Sequence, residues 1–304
     1  MRARGFGQRL FLAGFACLAL AWGDAGRATE HWDQVAIRAV AVAPGIHMLT
    51  GEGGNIGVSI GRDGTLIIDD QYAPLAAGIQ AALADLDGGS PRFVINTHWH
   101  GDHAGGNEAF GRAGAVIVAH QRVRQALMEE RSIPLFDLHQ PPAPRAALPV
   151  VTFAERMTLH WNDQDLELVH VPAAHTDGDA IVHFRSAKVL HLGDIFFNGF
   201  YPFIDVDSGG SIRGMIAAVE LGLALADADT KIIPGHGPLG DRAALAAYRD
   251  MLVQAEAAIG RLHAAGKSLE EIVAAKPTAN LDAEWGDGFL APDVWVRIVA
   301  SGMR

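Results

Sequence analysis

The stretch that decides the fold is THWHGDH, which runs from Thr97 to His103. Its first residue, Thr97, is the last residue of an apolar segment, 91–97 (PRFVINT). The β-branched and aromatic residues of this segment predict a strand. Side chains two residues apart share one face of an extended chain, so His98 and His100 can converge on one metal ion. The stretch therefore predicts a metal site at the carboxyl end of a strand.

Asp102 and His103 come one step later, after Gly101 allows the chain to turn, and are predicted to face a second ion beside the first. Four residues of ligand type within six positions are a dense cluster. Imidazole and carboxylate ligands without a thiolate suit a catalytic zinc with an open coordination position better than a closed structural site.

Three more predicted ligands follow apolar segments and stand beside glycine or proline. They are His175 in AAHT, Asp194 in VLHLGD and His236 in TKIIPGHG. The carboxyl ends of strands in α/β layers are where ligands gather, so we expect these side chains to join the first four. The seven predicted ligands divide into His98, His100 and His175 for a first ion and Asp102, His103 and His236 for a second, with Asp194 bridging.

The rest of the chain alternates short predicted strands with helices in two similar halves, which predicts an α/β fold packed as a layered sandwich. Predicted helices include 212–226 and 240–259, and Ser268 begins a capping box for a helix at 269–275. Between the halves lies 131–149, which contains five prolines. A loop of this length is usually functional or disordered, and we hypothesise that it covers the active site.

Residues 1–28 are predicted to be a secretory signal peptide, leaving 29–304 as the functional domain. Three arginines precede the apolar run Leu10–Trp22, and a stretch of small residues ends at Ala28. The run is shorter than the roughly 20 apolar residues of a membrane span. The alternatives are a buried N-terminal helix or an uncleaved anchor. The single cysteine, Cys17, lies in the predicted leader.

Acidic residues dominate the charge of the chain. The formal net charge is −11, and removal of the leader, with four basic residues and one acid, makes it −14. Such a charge argues against a nucleic-acid partner. We expect a periplasmic or secreted protein with no stable membrane association after signal cleavage, and nothing in the sequence indicates its oligomeric state.

The strings HWHGDH, AHT, GD and PGHG, in this order between about residue 45 and residue 240, resemble the metallo-β-lactamase superfamily. The resemblance implies a four-layer αβ/βα sandwich, with a dinuclear site for two zinc ions at one edge between the central sheets. It also implies hydrolysis of a small-molecule carbonyl substrate by a metal-bridging hydroxide. Asp102 would be the catalytic residue that orients the nucleophile and helps to move its proton.

The substrate class is a separate expectation. The chain resembles secreted class B β-lactamases in export, size and motif, which favours a β-lactam or another cyclic amide. However, Asp194 stands where one of their subclasses has cysteine, and Phe197 stands where a lysine would anchor a carboxylate. The bridging aspartate looks more like glyoxalase II, which makes a thioester, ester or lactone the alternative substrate. Further alternatives are an iron-dependent enzyme similar to persulfide dioxygenases and a non-catalytic periplasmic accessory protein.

Other polar residues near these motifs have two interpretations each. Asp69 and Thr176 would orient a ligating imidazole or belong only to turns. Asn198 and Tyr201 would supply an oxyanion donor or belong only to a polar rim. Six further histidines are predicted not to be ligands: His120, His139, His160, His170, His183 and His191.

Overall fold

Two β-sheets form the centre of residues 31–303, the part of the chain that this computed structural model describes. The predicted leader, 1–28, with Cys17, lies outside the described residues. The first sheet has seven strands in the order β1-β2-β3-β4-β5-β6-β9. These strands are β1 (Arg38–Ala43), β2 (Ile46–Thr50), β3 (Ile56–Gly61), β4 (Gly64–Ile68), β5 (Pro91–Asn96), β6 (Val116–His120) and β9 (Val151–Phe153).

The second sheet has six strands in the order β10-β11-β12-β13-β14-β15. They are β10 (Arg156–Trp161), β11 (Gln164–His170), β12 (Ala180–Phe184), β13 (Val189–Phe197), β14 (Lys231–His236) and β15 (Gly240–Asp241). A separate hairpin pairs β7 (Arg131–Ile133) with β8 (Leu138–Gln140).

Each sheet contains a parallel part that positions the site. Strand β5 runs parallel to β4 and β6, and β13 runs parallel to β14, whereas β1 to β4 and β10 to β13 form antiparallel meanders. The carboxyl ends of parallel strands meet at one edge of a sheet, where side chains from different strands come together. His98 to His103 follow β5, and Asp194 and His236 lie in the carboxyl-terminal halves of β13 and β14, whereas His175 follows the antiparallel strand β11.

Nine α-helices lie within the described residues. They are α1 (Ala76–Asp85), α2 (Gly101–Ala104), α3 (Asn107–Arg112), α4 (Gln121–Leu127), α5 (Ile212–Leu225), α6 (Arg242–Ala264), α7 (Leu269–Ala274), α8 (Asp282–Trp285) and α9 (Pro292–Ser301). Within residues 31–303, none of the helices has both the length and the apolar character needed to cross a membrane.

Three apolar clusters join four layers. Between the sheets, Ile68 and Ile95 of the first pack with Leu168 and Val182 of the second. On the outer faces, α1 packs on the first sheet and α5 and α6 pack on the second, while α9 packs on α6 and α7. Residues alternate between the faces of a strand, so each sheet buries both faces. The expected four-layer αβ/βα sandwich is confirmed.

Two local differences from the predicted elements have physical causes. Helix α6 continues to Ala264, past the predicted end at residue 259, because its apolar face continues beyond Gly260. The predicted loop 131–149 holds the β7–β8 hairpin, whose connection contains a 3-10 turn that begins at Pro134. Three-residue strands are too short to show the alternation that predicts a hairpin.

Candidate metal centre

All seven predicted ligands come together at the edge of the sandwich. One group consists of His98, His100, His175 and Asp194, and the other of Asp102, His103 and His236. Within each group, one candidate ligand atom from every residue lies within 4.8 Å of the others. Six of the residues divide as the sequence predicts, and Asp194, which was predicted to bridge, falls into the first group by this distance.

Asp194 connects the two groups through its two carboxylate oxygens. Oδ2 lies 3.4 Å from Nε2 of His175 and 3.8 Å from Nε2 of His98. Oδ1 lies 2.9 Å from Nε2 of His103 and 3.4 Å from Nε2 of His236. Each oxygen therefore faces a different group of imidazoles, as a bridging carboxylate requires.

The tautomer of His98 follows from its neighbours. Asp69 accepts hydrogen bonds from the backbone N–H of Thr97 (2.7 Å) and from its hydroxyl (2.8 Å). Because that hydroxyl has given its hydrogen to Asp69, it accepts one from Nδ1 of His98 at 3.0 Å. Nε2 of His98 then carries a lone pair, and this buried atom has no hydrogen-bond partner.

His100 and His175 are fixed in the same way. Nε2 of His100 donates to Oδ2 of Asp205 at 3.0 Å, and Nδ1 of His175 donates to the carbonyl oxygen of Phe203 at 2.8 Å. The remaining ring nitrogens, His100 Nδ1 and His175 Nε2, lie 2.8 Å apart. Two lone pairs at this distance repel each other unless a cation or a proton lies between them.

The second group has the same character. Nδ1 of His103 donates to Oδ2 of Asp69 at 2.8 Å, so Nε2 faces inward, 3.3 Å from Nε2 of His236. Asp102 Oδ2 lies 3.2 Å from the latter nitrogen. The seven side chains thus present imidazole lone pairs and carboxylate oxygens to a common interior. This donor set fits two divalent cations, and imidazole with carboxylate is a set that zinc accepts.

The pKa values show that positive charge is favoured in the second group. Burial lowers the pKa of His236, but the charges of Asp194 and Asp102 outweigh burial and raise it to about 9. Burial raises the pKa of Asp102, yet His103 and His236 lower it to about 2. At His98, where burial dominates, the pKa is well below its usual value. The carboxylates are thus ionised at neutral pH, which is the form that binds a cation.

Glycines let the backbone pass directly over these groups. A Cβ atom on Gly54 would overlap the ring of His103, and one on Gly235 would overlap Oδ1 of Asp194. Asn55 joins the two halves of the sandwich here, because its Nδ2 donates to the carbonyl oxygens of Pro234 (3.0 Å) and Gly237 (2.9 Å). The turn that carries His236 is therefore tied to the first half of the chain.

Asp69 and Thr176, for which the sequence allowed two interpretations each, differ in what they contact. Asp69 contacts the imidazole of His103, which favours the interpretation that it orients a predicted ligand. Thr176 instead donates its hydroxyl to the buried Asp179, which also accepts from the backbone N–H of His175. Thr176 thus supports the loop around His175 rather than the imidazole.

Tyr201 and Asn198, the two candidate oxyanion donors, both donate hydrogen bonds within the protein. Tyr201 is buried, and its hydroxyl donates to Oδ1 of Asp282 at 2.8 Å. The side chain of Asn198 donates to the carbonyl oxygen of Pro238 at 2.8 Å. Both side-chain donors are thereby engaged in stabilising loops.

The structure adds one segment that the sequence analysis missed, residues 198–211 between β13 and α5. Besides its carboxylate on His100, Asp205 donates its backbone N–H to the carbonyl oxygen of His175 at 3.0 Å. With Phe203, this segment holds the outer nitrogens of two predicted ligands. The one available signal was an aspartate directly after the apolar run YPFI at 201–204.

Three of the histidines that were predicted not to be ligands, His120, His170 and His191, have structural partners. His191 is fully buried and lies 3.2 Å from the carbonyl oxygen of Asn55. His120 accepts from the first turn of α4 and stacks on His170 at 3.6 Å between ring centroids. Neither of the two metal-ligand groups contains them.

Solved structures of metallo-β-lactamases have a similar fold. The metallo-beta-lactamase from Pontibacter korlensis is 19% identical, with a TM-score of 0.57, and the match covers 71% of this chain and 99% of that chain. The DIM-1 metallo-beta-lactamase is also 19% identical, with a TM-score of 0.56 and coverages of 73% and 100%. The stereoselective inverting sec-alkylsulfatase Pisa1 from Pseudomonas sp. is 18% identical, with a TM-score of 0.65, and the match covers 91% of this chain and 51% of that enzyme.

No curated protein sequence matches the chain. The family model of the metallo-beta-lactamase superfamily matches residues 49–246, more than half of the chain and a region that includes all seven predicted ligands. The shared fold, the two His/Asp groups and this match lead to one conclusion. The chain belongs to the metallo-beta-lactamase superfamily.

Proposed function

We propose that the chain is an exported dinuclear zinc hydrolase that cleaves a small-molecule carbonyl substrate. The observation that carries this proposal is the position of Asp194, whose two oxygens face two separate groups of inward-directed imidazole nitrogens. Members of the superfamily are metallohydrolases, and a carboxylate between two groups of ligands is what a two-metal site requires.

The residues have distinct parts in such a reaction. Two bound zinc ions would supply hydroxide near neutral pH and polarise the substrate carbonyl. Asp102 is ionised and its side chain is 21% exposed, more than that of the neighbouring His103, so it can accept a hydrogen bond from the attacking water. Its carboxylate would then hold the proton that passes to the leaving group. Asp69 and Asp205 keep the ligating imidazoles in one tautomer.

Two substrate classes follow from different observations. The fold similarity to two metallo-β-lactamases over almost their full lengths supports a β-lactam or another cyclic amide as the first candidate. The bridging carboxylate of Asp194, in place of a thiolate, supports a thioester, ester or lactone as the second.

Export is part of the proposal and rests on the predicted leader, residues 1–28. Sequencing of the N-terminus of protein recovered from the periplasm or medium tests it. A mature chain that begins near residue 29 supports export, whereas an intact leader in the cytoplasm contradicts it.

Metal analysis combined with a substrate panel tests the activity. We expect about two zinc ions per chain and metal-dependent turnover of nitrocefin, a thiolactone or p-nitrophenyl acetate, which is lost in His100→Ala. His139→Ala, which removes an exposed histidine, is the matched control and should retain activity. One iron per chain with oxygen uptake would favour the redox alternative. Absence of turnover on the whole panel would favour the accessory role.

A further inference from the structure

Phenylalanine rings lie directly against the predicted ligands. The ring of Phe197 stacks on His236, with centroids 5.2 Å apart and an angle of 20° between the planes. The ring of Phe203 stands nearly perpendicular to that of His175 at 5.7 Å and lies 5.9 Å from that of His100. Both groups of ligands therefore have an aromatic neighbour.

Three further rings extend this surface outward. Phe136 of the β7–β8 hairpin lies 5.0 Å from Phe203. Phe289 lies 6.1 Å from Phe197 and 5.9 Å from Phe200, and it also approaches Phe136 at 6.2 Å. We call these five residues the aromatic wall. Phe197 and Phe203 are buried, Phe136 and Phe200 are half-buried, and Phe289 is 36% exposed, so the wall leads from the ligands to the solvent.

The part of the chain after the family match helps to build this wall. Phe289 lies between α8 and α9, beyond residue 246, where the match ends. Tyr201 anchors this segment: its backbone N–H donates to the carbonyl oxygen of Trp285 at 2.9 Å, and its ring stacks on Trp295 at 3.9 Å. Phe289 is thus carried by a packed segment rather than by a free tail.

The aromatic wall itself, which consists of five phenylalanines, supplies no cation that could pair with a negatively charged substrate group. Among residues 31–303, no lysine or arginine has a nitrogen within 4 Å of the carboxylates of Asp102, Asp194 or Asp205, whose ionic partners are histidines. An aromatic surface gains free energy when apolar groups cover it, whereas an unpaired carboxylate placed against it loses hydration without compensation.

We propose that the aromatic wall binds an uncharged alkyl or aryl group next to the scissile carbonyl, and that it selects against substrates with a carboxylate on that group. This inference rests on the proposed hydrolytic function and narrows its substrate class. It favours esters, thioesters and lactones with apolar substituents over β-lactams, which carry a carboxylate.

A homologous series tests the apolar part of the inference. The zinc-loaded enzyme is assayed with p-nitrophenyl acetate, butyrate and hexanoate, and with ethyl, butyl and hexyl acetate, each corrected for its alkaline hydrolysis rate. Since each fully buried methylene group contributes up to about fourfold, we expect kcat/KM to rise about two- to fourfold per methylene group in at least one series. Values that stay flat in both series overturn the inference.

A matched pair of substrates tests the charge. Mono-p-nitrophenyl adipate has the same chain length as the hexanoate ester but ends in a carboxylate. We expect at least about tenfold lower kcat/KM for the adipate ester, because its charge meets no partner on the wall. Equal values for the two substrates overturn the selection against carboxylates.

Substitutions of Phe289 test whether the aromatic wall causes both the dependence on chain length and the selection against carboxylates. Phe289→Ala should reduce the dependence on chain length, Phe289→Leu should retain it, and Phe289→Lys should raise the adipate-to-hexanoate ratio at least about threefold by supplying a cation. Val253→Ala, which shortens an exposed apolar residue on α6, is the matched control and should change neither. A Phe289→Lys variant with an unchanged ratio contradicts the placement of the substrate group. If the wild type turns over nitrocefin but hydrolyses no ester faster than His100→Ala does, this inference fails and the proposed function stands. If it turns over neither nitrocefin nor an ester nor a thiolactone, the proposed function itself fails.

Discussion

The bond between Asp205 and His100 makes a quantitative prediction about metal affinity. Asp205 is only 4% exposed, and its Oδ2 accepts from Nε2 of His100 at 3.0 Å while Oδ1 accepts from the backbone N–H of Ser208 at 3.0 Å. The substitution Asp205→Asn keeps the size of the side chain and an acceptor oxygen but removes the charge. Asp205→Ala removes the acceptor as well.

The expected losses follow from the strength of these hydrogen bonds. A bond to a charged group contributes about 1.5–3 kcal/mol and a neutral one about 0.5–1.5 kcal/mol, so Asp205→Asn should cost about 1.4 kcal/mol, or tenfold in zinc affinity. In Asp205→Ala the buried N–H of His100 has no partner, which increases the loss to about 100-fold, the upper end for residues that support a metal ligand.

Competition between the protein and a chromophoric zinc chelator measures both binding steps. We expect a weaker affinity for only one of the two zinc ions, because Asp205 supports a predicted ligand of the first group and contacts none of the second. Asp207→Asn is the matched control, since it removes the same charge from an exposed position of the same segment. Unchanged affinity in Asp205→Ala, or equal losses in Asp205→Asn and Asp207→Asn, would refute a role through His100.

Three further substitutions test other parts of the structure. Tyr201→Phe removes the hydrogen bond to Asp282 and should lower Tm by about 2–4 °C, a loss of about 1 kcal/mol, with unchanged turnover; a loss of turnover would instead support an oxyanion role. Burial lowers the pKa of His120 from 6.5 to about 4. As the pH falls from 6.5 towards 4, His120 is therefore protonated in the unfolded chain before it is protonated in the folded one, and up to about 3 kcal/mol of the free energy of unfolding is lost. Urea unfolding with a chelator at pH 7 and pH 4.5 should show a smaller decrease for His120→Gln, and an equal decrease would contradict this assignment. Asn55→Ala breaks two hydrogen bonds to carbonyl oxygens that flank His236, and a chelator titration should show about tenfold weaker binding of the second metal; unchanged affinity would show that Asn55 does not position this ligand.

The predicted ligands could be found from the sequence because they follow strands directly. At the end of a strand, the local backbone alone determines where a side chain points. His98 and His100 share a face of an extended segment, and His236 ends β14. Each of the two groups combines residues that follow β5 in the first sheet with residues of the second sheet, so both sheets contribute to each group. A short motif and the alternation of strands therefore contain most of the information about this centre.

Asp205 could not be found in this way, because its partner His100 lies 105 residues away in the sequence and no regular element connects them. The two interpretations of Tyr201 could not be separated from the sequence for a related reason. A tyrosine near predicted ligands resembles an oxyanion donor, but its hydroxyl is directed toward Asp282 by the packing of the C-terminal helices. Contacts of this kind depend on tertiary packing, which local sequence patterns do not encode.

If the proposed function holds, segment 198–211 connects metal binding to substrate selection. Its Asp205 and Phe203 fix two imidazoles of the first group, while the ring of Phe203 belongs to the aromatic wall. Tyr201 of the same segment holds the C-terminal helices that carry Phe289. A change in those helices is transmitted to the ligands through only a few residues. Substitutions far from the centre, at Trp295 for example, should therefore alter substrate preference and the affinity of the first metal together.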